Sequence, residues 1–403
     1  MNKKHRLIAG GLAGAFCLSG CSIVESVGLT KIEQKDTGNT EAEDKELTNK
    51  LSNRWYYDNL SKEEKSLYNR LYKSFLNWEE KIDFDGVDSN LLLKVFHSLL
   101  LEHPELYYIG QEYEYTYYDN NSSVVYAITP TYLLSEHAYK TQMKEVEQVS
   151  KEILDKVKED NLGEFGAELY VHDYIVSNVD YYTEQTVDTK KVDNFRTIYG
   201  ALVEGKANCM GYARAMSYLM NQIGIECISV TGNAVSSNGT SGPHEWNAIK
   251  INDNWYQLDL CWDDPSYMSN DGEIKESSDV GIRHTYFNIT TKEMKQTRSF
   301  DYVAGDVPDC TTEKDNYYAK KGLMMSSVEA YQEYITDNFD AMMNEGISTE
   351  VKFTNKEDYI YAVKNITDIL DKAAMKNNFY GSYLFQGYPD ERCGVLVCQI
   401  MPN

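Results

Sequence analysis

A two-residue turn at Asn252-Asp253 sets the register of a hairpin, and that register restricts what the surrounding chain can build. Residues 244–251 and 255–260 are rich in strand formers and flank the two turn residues. With Ile251 opposite Asn254, His244 falls opposite Cys261, and Asp259 lies two residues along on the same face. Diagonal neighbours of this kind are about 7–8 Å apart, within reach of an imidazole and a carboxylate. Upstream, Ala213, Met216, Met220 and Ile223 recur at helical spacing, and Gly224 is a natural stop. Asn208 can cap this helix, which puts Cys209 in its first turn. Residues 225–231 read as a further strand, so the stretch predicts an α+β domain.

A cysteine in the first turn of a helix has a specific electrostatic setting. The positive end of the helix dipole and unpaired backbone N–H groups favour thiolate over thiol, and the same N–H groups can stabilise an oxyanion. If His244 and Asp259 share one hairpin face, the carboxylate fixes the ring tautomer and leaves the other nitrogen to take the proton of Cys209. Gly205 and Gly211 flank the cysteine, and the expectation is that they keep the backbone open for substrate.

The run from Tyr199 to Ala213, centred on Gly205-Lys206-Ala207-Asn208-Cys209-Met210-Gly211-Tyr212, resembles the nucleophile segment of bacterial transglutaminase-like proteins. His244-Glu245-Trp246-Asn247 resembles the histidine strand of that family. Trp255-Tyr256-Gln257-Leu258-Asp259 with Trp262-Asp263-Asp264-Pro265 resembles its aspartate strand. His172-Asp173-Tyr174 through Tyr181 is similar to the segment before the nucleophile, and Tyr286-Phe287-Asn288-Ile289-Thr290 to the closing segment. The resemblance covers residues 161–305. It implies a papain-like transglutaminase core, in which a helix bearing the cysteine packs on an antiparallel sheet. It also implies a catalytic triad of Cys209, His244 and Asp259 and reaction at amides through an acyl-thioester. The acyl group then passes to water or to an amine. Tyr181 matches an aromatic position implied to lend a donor to the oxyanion. Asn208 departs from the family pattern, which more often has a small apolar residue there. No cofactor or metal is implied, and the substrate would be a peptide or protein. The alternative is a non-catalytic surface module that keeps the fold to bind peptide or wall polymer.

The flanking sequence divides the chain further. In residues 54–160, Ser61 with Glu64 forms a capping box ahead of Leu67, Leu71, Phe75 and Trp78 at helical spacing. Helices are expected at 89–101 and 136–159, with strands around Tyr113, Tyr115 and Tyr117 and at 124–128, joined by a turn at 119–121. This is an N-terminal α+β module. A helix at 165–179 opens the central domain, with Phe165, Leu169, His172, Ile175 and Val179 on one face. Residues 306–403 read as a C-terminal α+β cap, with helices at 327–343 and 356–374 and strands at 349–353, 381–386 and 393–400. Asp263, Asp264, Asn270, Asp271 and Glu273 read as a solvated acidic loop, without the spacing of an EF-hand. His284 and Cys261 read as packing residues, and Cys227 as buried.

The first 20 residues read as a leader. Lys3, Lys4 and Arg6 precede an apolar stretch at 7–18 that is too short to span a bilayer, which needs about 20 residues. Leu18-Ser19-Gly20-Cys21 resembles the lipobox of bacterial lipoproteins, which implies cleavage before Cys21 and lipid attachment to its thiol. The other reading is an ordinary signal peptide with a chance cysteine. Residues 21–53 are polar and form a tether. These features place the chain on the outer face of a cell membrane. Its net charge of −24 disfavours nucleic acid as a partner. Six cysteines remain beyond the leader and anchor, without a C-x-x-C pair, and the spacing does not say which of them pair. The 33 tyrosines are spread along the chain as amphipathic core and surface residues, with carbohydrate stacking as a second reading.

Overall fold

A computed structural model describes residues 2–8, 54–118, 121–182, 192–236, 239–264, 267–268, 274–275 and 281–402. Cys21, the tether, the 119–120 turn residues and the acidic residues Asn270, Asp271 and Glu273 lie outside this set. No described helix is long and apolar enough to cross a membrane.

The first part is built on a four-stranded sheet. Its strands are β1 (Asn2–Ile8), β2 (Ile82–Asp88), β3 (Ile109–Tyr118) and β4 (Val124–Tyr132), in the order β1-β3-β4-β2. Lys3, Lys4 and Arg6 lie on β1. Helices α1 (Trp55–Asn59), α2 (Lys62–Leu76) and α3 (Ser89–Glu102) pack on this sheet. The capping box is present: Glu64 N–H donates to Ser61 Oγ and the Glu64 carboxylate accepts from Ser61 N–H. Leu67, Leu71 and Phe75 fill the core with Leu92, Val95 and Phe96 of α3. Trp78 lies beyond the helix at φ 53 and stacks on Tyr108 instead. Strand β2 has no clean alternation in sequence and was not expected.

Helix α4 (Glu136–Glu159) runs over the expected residues, but Val146, Ile153, Leu154 and Val157 are buried in the central core. There they meet α5 (Glu164–Asn178) and the helix that carries Cys209. The short parallel pair β5 (Asp180–Tyr181) and β6 (Lys206–Ala207) leads into α6 (Cys209–Gln222). The central sheet contains β7 (Cys227–Val235), β8 (Ser241–Ile251), β9 (Asn254–Leu258) and β12 (Arg298–Phe300), in the order β12-β7-β8-β9. The turn is as expected: Ile251 pairs with Asn254, and Asn252 and Asp253 take φ of 48 and 65. After β9 come α7 (Leu260–Asp263), the small hairpin of β10 (Tyr267–Met268) and β11 (Ile274–Lys275), and α8 (Thr291–Met294).

One face of the central sheet meets α4, α5 and α6 in an apolar core that includes Met216, Met220, Ile249 and Leu258. The other face carries Ile228, Val230, Trp246 and Ala248. They pack against Tyr56 and Leu101 from the N-terminal part and Tyr318, Val395 and Val397 from the C-terminal part.

The last part contains α9 (Tyr317–Lys321), β13 (Met324–Met325), α10 (Val328–Glu345), β14 (Thr349–Phe353), α11 (Lys356–Lys364), α12 (Ile366–Lys376), β15 (Tyr383–Asp390) and β16 (Val395–Pro402). Its sheet runs β13-β14-β16-β15. The single helix expected at 356–374 is two helices that meet at Asn365.

Candidate active site

Helix α6, which carries Cys209, starts as its sequence dictates. Asn208 takes an extended conformation, and its side-chain oxygen accepts from the N–H groups of Met210 at 3.0 Å and Gly211 at 3.4 Å. Cys209 is therefore the first helical residue, and it is 8% exposed. The family's departure at Asn208 thus supplies a cap. Gly211 has a different purpose from the one expected. A Cβ there would sit 2.7 Å from both the Cβ of Ala207 and the carbonyl oxygen of Phe195, so the residue permits close packing of backbone rather than access for substrate.

The helix is locked to the sheet by the motif that carries the histidine. Asn247 Nδ2 donates to the Ala213 carbonyl at 2.8 Å, Glu245 accepts from Arg214 Nε at 3.1 Å, and Trp246 Nε1 donates to Gln257 Oε1 at 2.8 Å. Every member of His244-Glu245-Trp246-Asn247 has its own partner, so the short run fixes helix, strand and ring together.

The structure brings His244 and Asp259 into contact, although not by the pairing expected. The hairpin ladder ends at Asn247 and Leu258, so His244 does not face Cys261 across it. Asp259 leaves the sheet to cap α7, accepting from Trp262 N–H at 3.3 Å through Oδ1. Its Oδ2 then lies 2.7 Å from Nε2 of His244. The remaining ring nitrogen, Nδ1, is the one left for the sulfur, and Cys209 is the second group whose charge acts on this ring. Burial disfavours a charge on His244. The Asp259 carboxylate and the Cys209 sulfur outweigh it and hold the imidazolium up to about 9. Burial likewise opposes the Asp259 charge, yet His244 and Arg298 hold that carboxyl down to about 2.

Arg298 is absent from any motif in the sequence. It is buried on the three-residue strand β12, donates to Asp259 Oδ2, and lies between the rings of Trp262 at 3.7 Å and Tyr286 at 4.4 Å. Gly232 on β7 admits this strand: a Cβ there would lie 1.9 Å from the carbonyl oxygen of Ser299. Only the glycine itself, opposite nothing recognisable as a strand, could have signalled the approach.

Tyr181 and Cys261 lie within electrostatic reach of the Cys209 thiol. Burial, with these thiols nearby, raises the Tyr181 phenol above its usual value, so it remains an O–H donor. Burial pushes the Cys261 thiol well up, and Cys209 and Asp259 add to the effect. Cys261 therefore stays protonated. It packs against the central apolar core, as expected. All six described cysteines, Cys209, Cys227, Cys261, Cys310, Cys393 and Cys398, are free.

Another reading from sequence is corrected: Asp263 and Asp264 are buried, not part of a solvated loop, since Asp263 lies 3.3 Å from His172 and Asp264 accepts from Tyr212. His284 packs as expected, stacked on Tyr317 at 3.7 Å, and its ring nitrogens also face Asp173 and Glu350.

A capped helix presenting a thiol to a carboxylate-bound imidazole on an antiparallel sheet defines the class of papain-like thiol sites. Residues 148–260 match the model of the Transglutaminase-like superfamily. Similar solved structures include the crystal structure of a TGase, at 11% identity and TM-score 0.27, covering 39% of this chain and 45% of that one. Another is the periplasmic domain of TgpA from Pseudomonas aeruginosa bound to ethylmercury, at 14% identity and TM-score 0.22, covering 34% of this chain and 55% of that one. The match thus spans about half of each of these chains. No curated protein matches the sequence.

Proposed function

We propose that this protein is a thiol acyl-transfer enzyme acting on peptide or protein amides in the cell envelope. The observation that carries the reading is the buried His244–Asp259 pair at 2.7 Å, with Cys209 as the other group that acts on the same ring. His244, held as the imidazolium, already carries the thiol's proton when the Cys209 sulfur attacks the amide carbon. That proton goes to the departing nitrogen as the C–N bond breaks, leaving an acyl-thioester on Cys209 and a neutral ring. Water or an amine then attacks, with His244 taking and returning a proton, and the thiol is restored. Asp259 holds the ring tautomer and stabilises the imidazolium. Because Asn208 occupies the N–H groups of Met210 and Gly211, the oxyanion is left to the N–H of Cys209 and the Tyr181 phenol.

The test is selective alkylation. Iodoacetamide should label Cys209 faster than Cys227, Cys261, Cys310, Cys393 or Cys398, and His244→Ala should slow that labelling. Equal labelling of all six, indifferent to the change, would refute the proposal. Trapping acyl-enzyme from a peptide library on the purified chain then identifies donor and acceptor by mass.

The proposal also puts the enzyme on the outer face of a membrane, held by diacylglycerol on Cys21. Its support is Leu18-Ser19-Gly20-Cys21 behind a short apolar stretch. The N-terminal peptide of the mature chain should begin at Cys21 and carry the lipid mass. A chain beginning elsewhere, without that mass, would remove this part of the reading.

A further inference from the structure

Away from the thiol, a second set of ionisable side chains converges on Asp173. Its Oδ1 lies 2.9 Å from Nδ1 of His172 and 3.0 Å from Nε2 of His284. The far nitrogen of each ring faces another carboxylate. His172 Nε2 is 3.3 Å from Asp263 Oδ2, and His284 Nδ1 is 3.2 Å from Glu350 Oε2. Both rings are buried, whereas the Asp173 side chain is 36% exposed and leaves the cluster one open side.

Two ring nitrogens aimed at one carboxylate oxygen can be held in two ways. Each can donate its own N–H to Asp173. Alternatively, a cation lies between their lone pairs and the carboxylate. In the second arrangement each outer N–H donates to its own carboxylate, Asp263 or Glu350. That second layer of carboxylates is what fixes the tautomer and orientation of a metal-ligating histidine.

The distances agree with such a site. One ligand atom from each of His172, Asp173 and His284 lies within 4.8 Å of the others. Tetrahedral bonds of about 2.0–2.1 Å put ligand atoms about 3.3 Å apart. The separations of 2.9 and 3.0 Å therefore need only a small expansion.

We infer that His172, Asp173 and His284 form a binding site for a divalent transition ion, zinc by its donor set, with water in the fourth position on the open side of Asp173. Asp263 and Glu350 are the outer partners. The site joins four pieces of the fold: α5, the end of α7, the segment before α8, and β14 of the C-terminal sheet. A bound ion clamps that sheet to the central domain and steadies the short helix that Asp259 caps. The inference stands apart from the thiol chemistry, and its readouts need no substrate.

The experiment uses the full chain, stripped with a chelator and equilibrated with zinc. The chain should retain one ion and gain thermal stability on loading. Asp173→Asn, nearly isosteric and at the exposed side, should lose affinity by at least about tenfold and lose the thermal gain. Glu350→Gln should weaken binding by about 10–100-fold. Thiols are the competing ligands, so cobalt(II) provides the second measurement. A site of imidazole and carboxylate gives d–d bands without thiolate-to-cobalt charge transfer. Failure of the wild-type chain to take up zinc would overturn the inference and leave two ring N–H groups donating to Asp173 as the description. Uptake unchanged by Asp173→Asn, or a spectrum dominated by thiolate charge transfer, would overturn it equally. Folding of the variants is not needed for the wild-type measurements to decide.

Discussion

The His244 ring ties stability to pH in a way that can be measured directly. Its folded value of about 9 lies above the 6.5 of a free imidazole, because Asp259 and Cys209 together outweigh its burial. The native state therefore holds the ring proton more tightly than the unfolded chain does. The resulting stabilisation is complete below pH 6.5, declines as pH rises, and is lost above about pH 9. At about 1.4 kcal/mol per pH unit, the gap corresponds to about 3 kcal/mol. The assay is urea unfolding followed by tryptophan fluorescence, with the wild type compared with His244→Gln across that window. Other titrating groups contribute to both proteins, so the difference between the two curves isolates the ring. That difference should shrink in favour of the variant by about 3 kcal/mol from pH 6.5 to 9. Parallel curves would show that the ring is not held as an imidazolium by Asp259 and Cys209, and the geometry argued for the site would be wrong.

Three further outcomes follow from individual contacts. Arg298→Met leaves the buried Asp259 carboxylate without one of its two cationic partners, and should cost about 3–5 kcal/mol in denaturant unfolding while slowing alkylation of Cys209. Asn208→Ala removes the cap from the nucleophile helix and should cost about 1 kcal/mol, again with slower alkylation. Gly232→Ala forces β12 away from β7 through a contact with the Ser299 carbonyl. It should destabilise the chain by about 1–3 kcal/mol and reproduce the labelling defect of Arg298→Met, because it moves the same side chain.

The nucleophile helix and the hairpin were legible because both are specified locally. A cap, a 3.6-residue stripe and a two-residue turn each act within a few residues of themselves. The extrapolation from that turn failed beyond Leu258, where a side-chain cap by Asp259 competes with continued pairing and wins. Arg298 was illegible for the opposite reason. Three residues cannot display a period, and the strand exists because β7 offers an edge and a glycine. His172 was read as part of an apolar helix face, and His284 as a packing residue. The carboxylates that give them meaning come from 91 and 66 residues away. The break at Asn365 was hidden by apolar spacing that continues through it on both sides.

The sheet that carries His244 has no solvent-facing side. Tyr56 donates to the Ser229 carbonyl at 3.1 Å, Ser98 to the Ala304 carbonyl at 2.8 Å, and Trp55 meets Trp255 edge to face at 5.3 Å. A fragment trimmed to the superfamily match would bare Ile228, Val230, Trp246 and Ala248 as one continuous oily surface. Such a fragment should clump, so the outer parts act as scaffolding for this sheet and any shortening should stop short of Trp55 and Val397.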